Sequence, residues 1–288
     1  MDQKKSLVLQ GNTGYHHLCI TSPTVRGLGI WPSSSREGML KQISIEDAPL
    51  LERLFTDGET MSYSVVYSRQ IRVVHALKLK ILGYLVDCLF GCKFESRVLK
   101  KMMFLILPNS NAMRTVRILA LDVAPDNPDV VIDFLTRFPR IEKLQMAFSH
   151  WKRTMSEWGT FKPKIVWHHV SLECLDQHLK TLEVKSYRCT MWDVSMVRLF
   201  VSNARVLESL KVIANRAQCR TEWIASQHYK VCWSIGWSIR ASPGATFCFV
   251  PRPNHHQPTC AAMKNIHNLA PDDPFDIWSS TFLNDDWN

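Results

Sequence analysis

Apolar residues recur along the chain as L-x-x-L-x-L, with other aliphatics or a large apolar residue standing in for leucine. The pattern starts at Val25 (with Leu28 and Ile30), Leu51 (Leu54), Leu79 (Leu82, Tyr84), Val116 (Leu119, Leu121), Ile141 (Leu144, Met146), Leu179 (Leu182, Val184) and Leu207 (Leu210, Val212). Successive starts lie 26, 28, 37, 25, 38 and 28 residues apart. Four of these separations match a repeat of roughly 20–29 residues, and the two long ones carry an insertion. The last two apolar residues of each unit alternate on a short strand and point to one side, while the first covers the turn before it. One unit cannot bury its apolar edge alone; stacked strands form a parallel ladder whose inward side chains make a continuous core. The pattern therefore predicts an α/β leucine-rich-repeat solenoid: a curved parallel strand ladder with helices or extended returns on its convex side.

The segments between strands fit that role. Asn127-Pro128-Asp129 offers a capping residue followed by proline at the first helical position, and Val130, Val131, Phe134, Leu135 and Phe138 recur at helical spacing until Pro139. Thr190 with Asp193 has the spacing of a capping box, followed by a stripe of Val194, Val197, Phe200, Val201 and Ala204. A third helix is expected over Ser96–Leu107. In the first third the returns are shorter and alternate: Leu18-Cys-Ile20, Ile43-Ser-Ile45 and Ile71-Arg-Val73 each precede a small residue and a proline or its substitute. In all three the next repeat starts two positions beyond that proline or substitute, which predicts extended returns.

Composition changes this picture little. With 46% hydrophobic and 21% charged residues, the chain is too apolar for disorder. The formal charge of +9 raises nucleic-acid binding as an alternative, yet the cations are scattered and their tightest groups are pairs such as Lys100-Lys101 and Lys152-Arg153. The nine cysteines form no C-x-x-C pair, and Cys88 with Cys92 lacks a second pair to complete a zinc site. No run approaches the roughly 20 apolar residues of a membrane span and the N-terminus has no signal-peptide run, so the expected location is cytoplasmic or nuclear. Phosphate-loop, nucleophile-elbow and metalloprotease motifs are absent, which argues against an enzyme. The His168-His169 and His255-His256 pairs, and the acidic pairs Glu46-Asp47 and Asp272-Asp273, diverge on extended backbone, so no metal or cofactor is expected. Trp223, Trp233 and Trp237 suit a cap over the end of the array.

ITSPTVRGLGI, ISIEDAPLLERL and LKLKILGYL resemble the leucine-rich repeats of plant F-box proteins, particularly those of grasses. FLTRFPRIEKLQM resembles the repeat ahead of their FBD region, ECLDQHLKTLEVKSYRCTMWDVSMVRLFVSNARVLESLKV resembles the FBD region itself, and HNLAPDDPFDIWS, from His267, resembles the tail that closes many such chains. Two departures stand out: Cys189 where the family often has glycine, and Leu77 where proline is usual. The resemblance implies leucine-rich repeats over residues 1–165, an FBD-like region continuing the solenoid over 166–240, and an irregular C-terminal tail over 241–288. It further implies a non-catalytic recognition module like the substrate-selecting part of a ubiquitin-ligase receptor, its partner a protein to be ubiquitinated. The chain starts inside the repeats, so no residue is expected to dock the ligase adaptor. A basic nucleic-acid-binding protein, or a truncated remnant without function, are the alternatives.

In L-x-x-L-x-L the residues flanking the final aliphatic point away from the core and line up on the inner face of the array. They are Arg53 and Phe55, Lys143 and Gln145, Glu183 and Lys185, Ser209 and Lys211, a mostly polar set with one expected exposed aromatic. Such a mixture suits a protein partner better than a cofactor pocket.

Overall fold

The computed structural model describes residues 5–10, 14–31, 42–56, 70–86, 112–126, 128–148, 171–214, 240–251, 266 and 275. They belong to two compact units, Met1–Val116 with His255–Asn288, and Arg117–Asn254.

In the first unit β1 (Ser6–Gln10), β3 (Gly27–Trp31), β5 (Arg53–Thr56) and β7 (Ile81–Val86) form one parallel ladder, and β2 (His17–Thr21), β4 (Gln42–Asp47) and β6 (Gln70–Val73) form another. The repeat leucines stand in register, Leu28 beside Leu54 and Leu54 beside Leu82, and all three are buried. The returns expected to be extended are the second ladder: Leu18 pairs with Ile43 and Ile20 with Ile45, then Ile43 with Ile71 and Ile45 with Val73. The second and third returns end in a tight turn. Leu51 N–H donates to the Ala48 carbonyl (3.0 Å) and Leu79 N–H to that of Ala76 (3.3 Å), which places Pro49 and Leu77 at the second position of the turn, where proline's fixed φ is favoured. Leu77 there is exposed. A short helix, α1 (Ala112–Thr115), closes the unit, and the Thr115 hydroxyl donates to the Leu79 carbonyl at 2.7 Å.

In the second unit the returns are helical. The parallel ladder runs β8 (Ile118–Val123), β9 (Lys143–Phe148), β10 (Thr181–Tyr187), β11 (Ser209–Ala214), β12 (Thr246–Pro251). Leu119, Leu144, Leu182, Leu210 and Phe247 share one level across it. Behind β8, α2 (Pro128–Arg137) buries Val130, Val131, Phe134 and Leu135, with Asp129 in its first turn and Arg137 in its last, as the helix dipole favours. Arg137 also reaches back to Asp133 one turn earlier, at 3.0 Å. Ahead of α4 (Met191–Asn203) the capping box forms as its spacing predicts: Asp193 N–H donates to Thr190 Oγ1 (3.2 Å) and Thr190 N–H to Asp193 Oδ2 (3.1 Å). Val197, Phe200, Val201 and Ala204 are buried, and Val194 is half-buried.

Three elements were not visible in the repeat pattern. β1 pairs Leu7 with Leu28 and Leu9 with Ile30, but Lys4 stands where the leading aliphatic belongs. β12 corrects the expectation of an irregular segment at 246–251: Phe247 and Phe249 sit opposite Leu210 and Val212, while Gly244 occupies the leading position. α3 (Glu173–Gln177) is too short to show a periodicity; Cys174 Sγ faces the Leu135 carbonyl at 3.7 Å and Arg205 N–H bonds the Leu175 carbonyl at 2.9 Å, tying α3 to the returns on either side. The helix expected over Ser96–Leu107, the 165/166 boundary, Asn127, the cysteine pair at 88 and 92, the two histidine pairs, Asp272-Asp273 and the three clustered tryptophans lie outside the described residues.

The residue just after each leading aliphatic carries the register. Its carbonyl accepts backbone N–H groups from the next repeat: Arg26 from Glu52 (2.8 Å), Glu52 from Lys80 (2.9 Å), Arg117 from Glu142 (2.8 Å), Glu142 from Lys180 (2.9 Å) and Lys180 from Glu208 (2.8 Å). The side chains at this position alternate in sign, Arg26-Glu52-Lys80 in one unit and Arg117-Glu142-Lys180-Glu208 in the other. Arg26 pairs with Glu52 at 2.7 Å, Arg117 with Glu142 at 3.5 Å and Lys180 with Glu208 at 3.1 Å. Pairs this exposed contribute at most about 1 kcal/mol each, and a slipped strand would part them.

The shared level of Leu119, Leu144, Leu182 and Leu210 fixes what their truncation does. Each is buried to within 1% of full enclosure, so Leu→Ala at any of the four should cost about 2–5 kcal/mol in chemical denaturation. A series clustered near 0.5 kcal/mol, a surface-like value, would contradict their place in the core.

Candidate protein-binding face

Side chains alternate along a strand, so the residues between the inward aliphatics face the other way. Register aligns them into rows across the second unit. One row is Ile118, Lys143, Thr181, Ser209 and Thr246; the next is Ala120, Gln145, Glu183, Lys211 and Cys248. The first row is half-buried from Ile118 through Ser209 and exposed at Thr246. The second divides sharply, with Ala120, Gln145 and Glu183 enclosed, Lys211 half-buried and Cys248 exposed.

Alternation places the expected residues on the outward side but does not decide their exposure. Gln145 is 0% exposed, Glu183 2% and Lys185 5%. Lys185 Nζ donates to Gln145 Oε1 at 3.3 Å and lies 3.4 Å from Glu183 Oε1, so the three form a buried polar knot. Attraction between Lys185 and Glu183 offsets the cost of taking two charges out of water, and neither can lose the other cheaply. Asp122, buried on β8, shares a register line with Ala147 and Lys185. Lys143, Ser209 and Lys211 keep partial access to solvent.

The first unit's outward face is enclosed as well. Arg53 is buried, and Phe55, expected as an exposed aromatic, is 1% exposed with its ring centroid 5.1 Å from that of Phe275. The physical reason is coverage by a segment distant in sequence, which strand periodicity cannot report.

Elsewhere the titratable groups are structural. Cys174 is buried, and burial pushes its thiol up to about 12, so it stays protonated and inert near neutral pH. Asp47 pairs with His75 at 2.5 Å while Glu46 accepts from the Ser44 hydroxyl, so the two adjacent acids serve different partners. Among the described residues no group of three or more His, Cys, Asp or Glu could hold a metal ion, and no helix is long and apolar enough to cross a membrane.

Residues 5–146 match the model of the leucine-rich repeats of FBD-associated F-box protein At5g56370, and residues 169–212 match the FBD model. The chain belongs to the plant family of FBD-associated leucine-rich-repeat proteins. No curated protein and no solved structure matches it. This FBD-associated repeat protein is a protein-recognition module of the leucine-rich-repeat and FBD type.

The FBD match runs from α3 through β10 and α4 into β11, so the FBD region of this repeat protein supplies consecutive rungs of the second unit's ladder. Between β10 and α4 the chain turns sharply: Ser186 and Cys189 both have φ of 59°, the left-handed region that favours glycine. Tyr187 between them is buried, and burial pushes its phenol well up, with Cys189 beside it adding to the effect. The glycine that the family often has at position 189 therefore has a backbone reason. A left-handed conformation costs a residue with a Cβ roughly 1–2 kcal/mol, and glycine's greater unfolded freedom returns about 0.5–1 of that. Cys189→Gly should thus raise the melting temperature by about 1–3 °C, whereas Cys189→Val should lower it; the reverse order in thermal unfolding would show that the thiol outweighs the backbone.

The polar knot yields a second expectation. Lys185→Glu sets two carboxylates side by side in a buried site with no cation between them and should cost at least about 3–5 kcal/mol, the range for removing one partner of a buried pair. A melting temperature within 1–2 °C of the natural chain, a shift of less than about 1 kcal/mol, would mean that Lys185 is solvated in the folded protein.

Proposed function

We propose that the outward face of the second unit recognises a protein destined for ubiquitination, and that Lys143, Ser209 and Lys211 are its accessible contacts, joined by Thr181, Thr246 and Cys248. The observation that carries this reading is the in-register, partly exposed polar row that rides on a buried polar knot. Backbone ladder and knot hold the row's spacing before a partner arrives, which lowers the ordering cost of binding. Gln145, Glu183 and Lys185 are enclosed on the same face and hold its neighbouring positions, while Arg53 and Phe55 are enclosed in the first unit and take no part in it.

Charge favours a protein over a nucleic acid. Among the positions that lead the strands, Glu52, Glu142 and Glu208 interrupt the basic residues, so the array offers no continuous cationic stripe of the kind that follows a phosphate backbone. A cytoplasmic or nuclear site of action fits the thiols at Cys19, Cys174 and Cys248, a form kept in reducing compartments.

The test is paired charge reversal in the full chain. Lys143→Glu with Lys211→Glu should leave the melting temperature within about 2 °C, because partly exposed charges contribute little to stability. A photo-crosslinker at Ser209 should capture a discrete protein from plant extract, and the reversal should reduce that capture about tenfold. Undiminished capture would move the site off this face, and unfolding of the double variant would make the two lysines structural.

A further inference from the structure

The outward face of the first unit has an unusual surface. Phe55 stands between Gly29 on β3 and Gly83 on β7, each its register partner, so one aromatic ring rises from a row with bare backbone on both sides. Glycine in a strand interior weakens the strand and marks places where another group approaches the backbone closely. Here the approaching group is visible. Phe275 packs its ring on Phe55 at 5.1 Å, tilted by 53°, in the geometry aromatic pairs prefer. Two residues earlier on β3, a Cβ built on Gly27 would meet the Ile266 carbonyl oxygen at 2.9 Å and Ile266 Cγ1 at 3.1 Å. Ile266 and Phe275 are both fully buried.

The arrangement has the character of a peptide site more than of a core. Core positions of this unit are filled by leucine and isoleucine from successive repeats, each matched by its neighbours in the ladder. On the outward face, by contrast, glycines leave room on the strands; Ile266 lies against Gly27 and Phe275, nine residues further on, lies against the Phe55 ring. An aliphatic and an aromatic anchor on one short stretch, seated over bare backbone, is how a strand surface takes a linear peptide.

We infer that the face of β3, β5 and β7 is a docking site for a peptide with an aliphatic and an aromatic anchor, and that the chain's own C-terminal segment occupies it through Ile266 and Phe275. A partner peptide binds there by displacing this tethered occupant, whose local concentration sets the threshold a competitor must exceed. The inference concerns a different ladder from the proposed recognition face and stands or falls separately from it.

The experiment uses the full chain and a labelled synthetic peptide of residues 262–279, followed by fluorescence anisotropy. The natural chain, its face occupied, should bind the peptide weakly; the Phe275→Ala chain should bind it at least about tenfold more tightly, because the tethered competitor is lost. A peptide carrying Ala in place of its own Phe275 should bind neither. Ile266→Asp, which drives the segment off while leaving every strand residue intact, should show the same gain. Absence of peptide binding by both variants while each still melts cooperatively would overturn the inference, as would equal binding of the two peptides. Loss of cooperative melting in both variants would also overturn it, since the segment would then be core and not ligand.

Discussion

The parallel register is the constraint on which the rest depends. A strand's side chains alternate with a period of two, so a slip of one residue would send every inward leucine outward and every outward charge into the core. Leu28, Leu54 and Leu82 in one unit, and Leu119 through Leu210 to Phe247 in the other, remain level across their ladders. Burying a leucine contributes about 1.5–3 kcal/mol, far more than any exposed ion pair in the array. Apolar burial therefore supplies the stability. The row of carbonyls ahead of the strands, with its alternating charges, discriminates among registers that burial alone would penalise less selectively.

Fixing the register also fixes the outward face, but differently in the two units. In the second, helical returns and a continuous ladder set polar residues side by side, and Lys185, Glu183 and Gln145 become neighbours although 40 residues separate the outermost two. Such a buried knot adds little net stability compared with a well-packed apolar substitute. What it does is hold three side chains at defined positions beside an accessible row, which is of use to a surface that must present a fixed pattern. In the first unit the outward face carries Arg53 and Phe55 among glycines, and Ile266 and Phe275 pack on it.

Much of this was legible in the sequence, and for physical reasons. Seven leading aliphatics at repeat spacing located seven strands, because in-register burial requires the same residue types at the same offsets. Extended returns could be told from helical ones by the period of their apolar residues, two at Ile43-Ser-Ile45 and nearer 3.6 across Val130 to Phe138. The caps at Thr190 and Pro128 were legible because each satisfies a local backbone requirement. β1 and β12 escaped because Lys4 and Gly244 replace the leading aliphatic, as end strands with a neighbour on one side can tolerate. The charge alternation within each unit, Arg26-Glu52-Lys80 and Arg117-Glu142-Lys180-Glu208, was also present in the sequence, one residue after each leading aliphatic.

The candidate site was legible only in part, and the reason is general to repeat folds. Periodicity says which way a side chain points from its own strand; exposure depends on what else lies over it. Lys143 and Lys185 are equivalent by pattern, each outward and flanking an inward aliphatic, yet the first is half-buried and the second enclosed. Phe55 and Lys211 differ in the same way. The distinction between them comes from contacts that span the unit, such as Phe275 on Phe55, and such contacts leave no periodic trace. Glycine leaves the nearest thing to one: a glycine at an outward strand position, as at 27, 29 and 83, removes a side chain that would otherwise keep other groups away. In a repeat array, outward glycines beside a large aromatic are therefore a sequence sign that the face is covered, and they separate a residue that only points outward from one that is free to meet a partner.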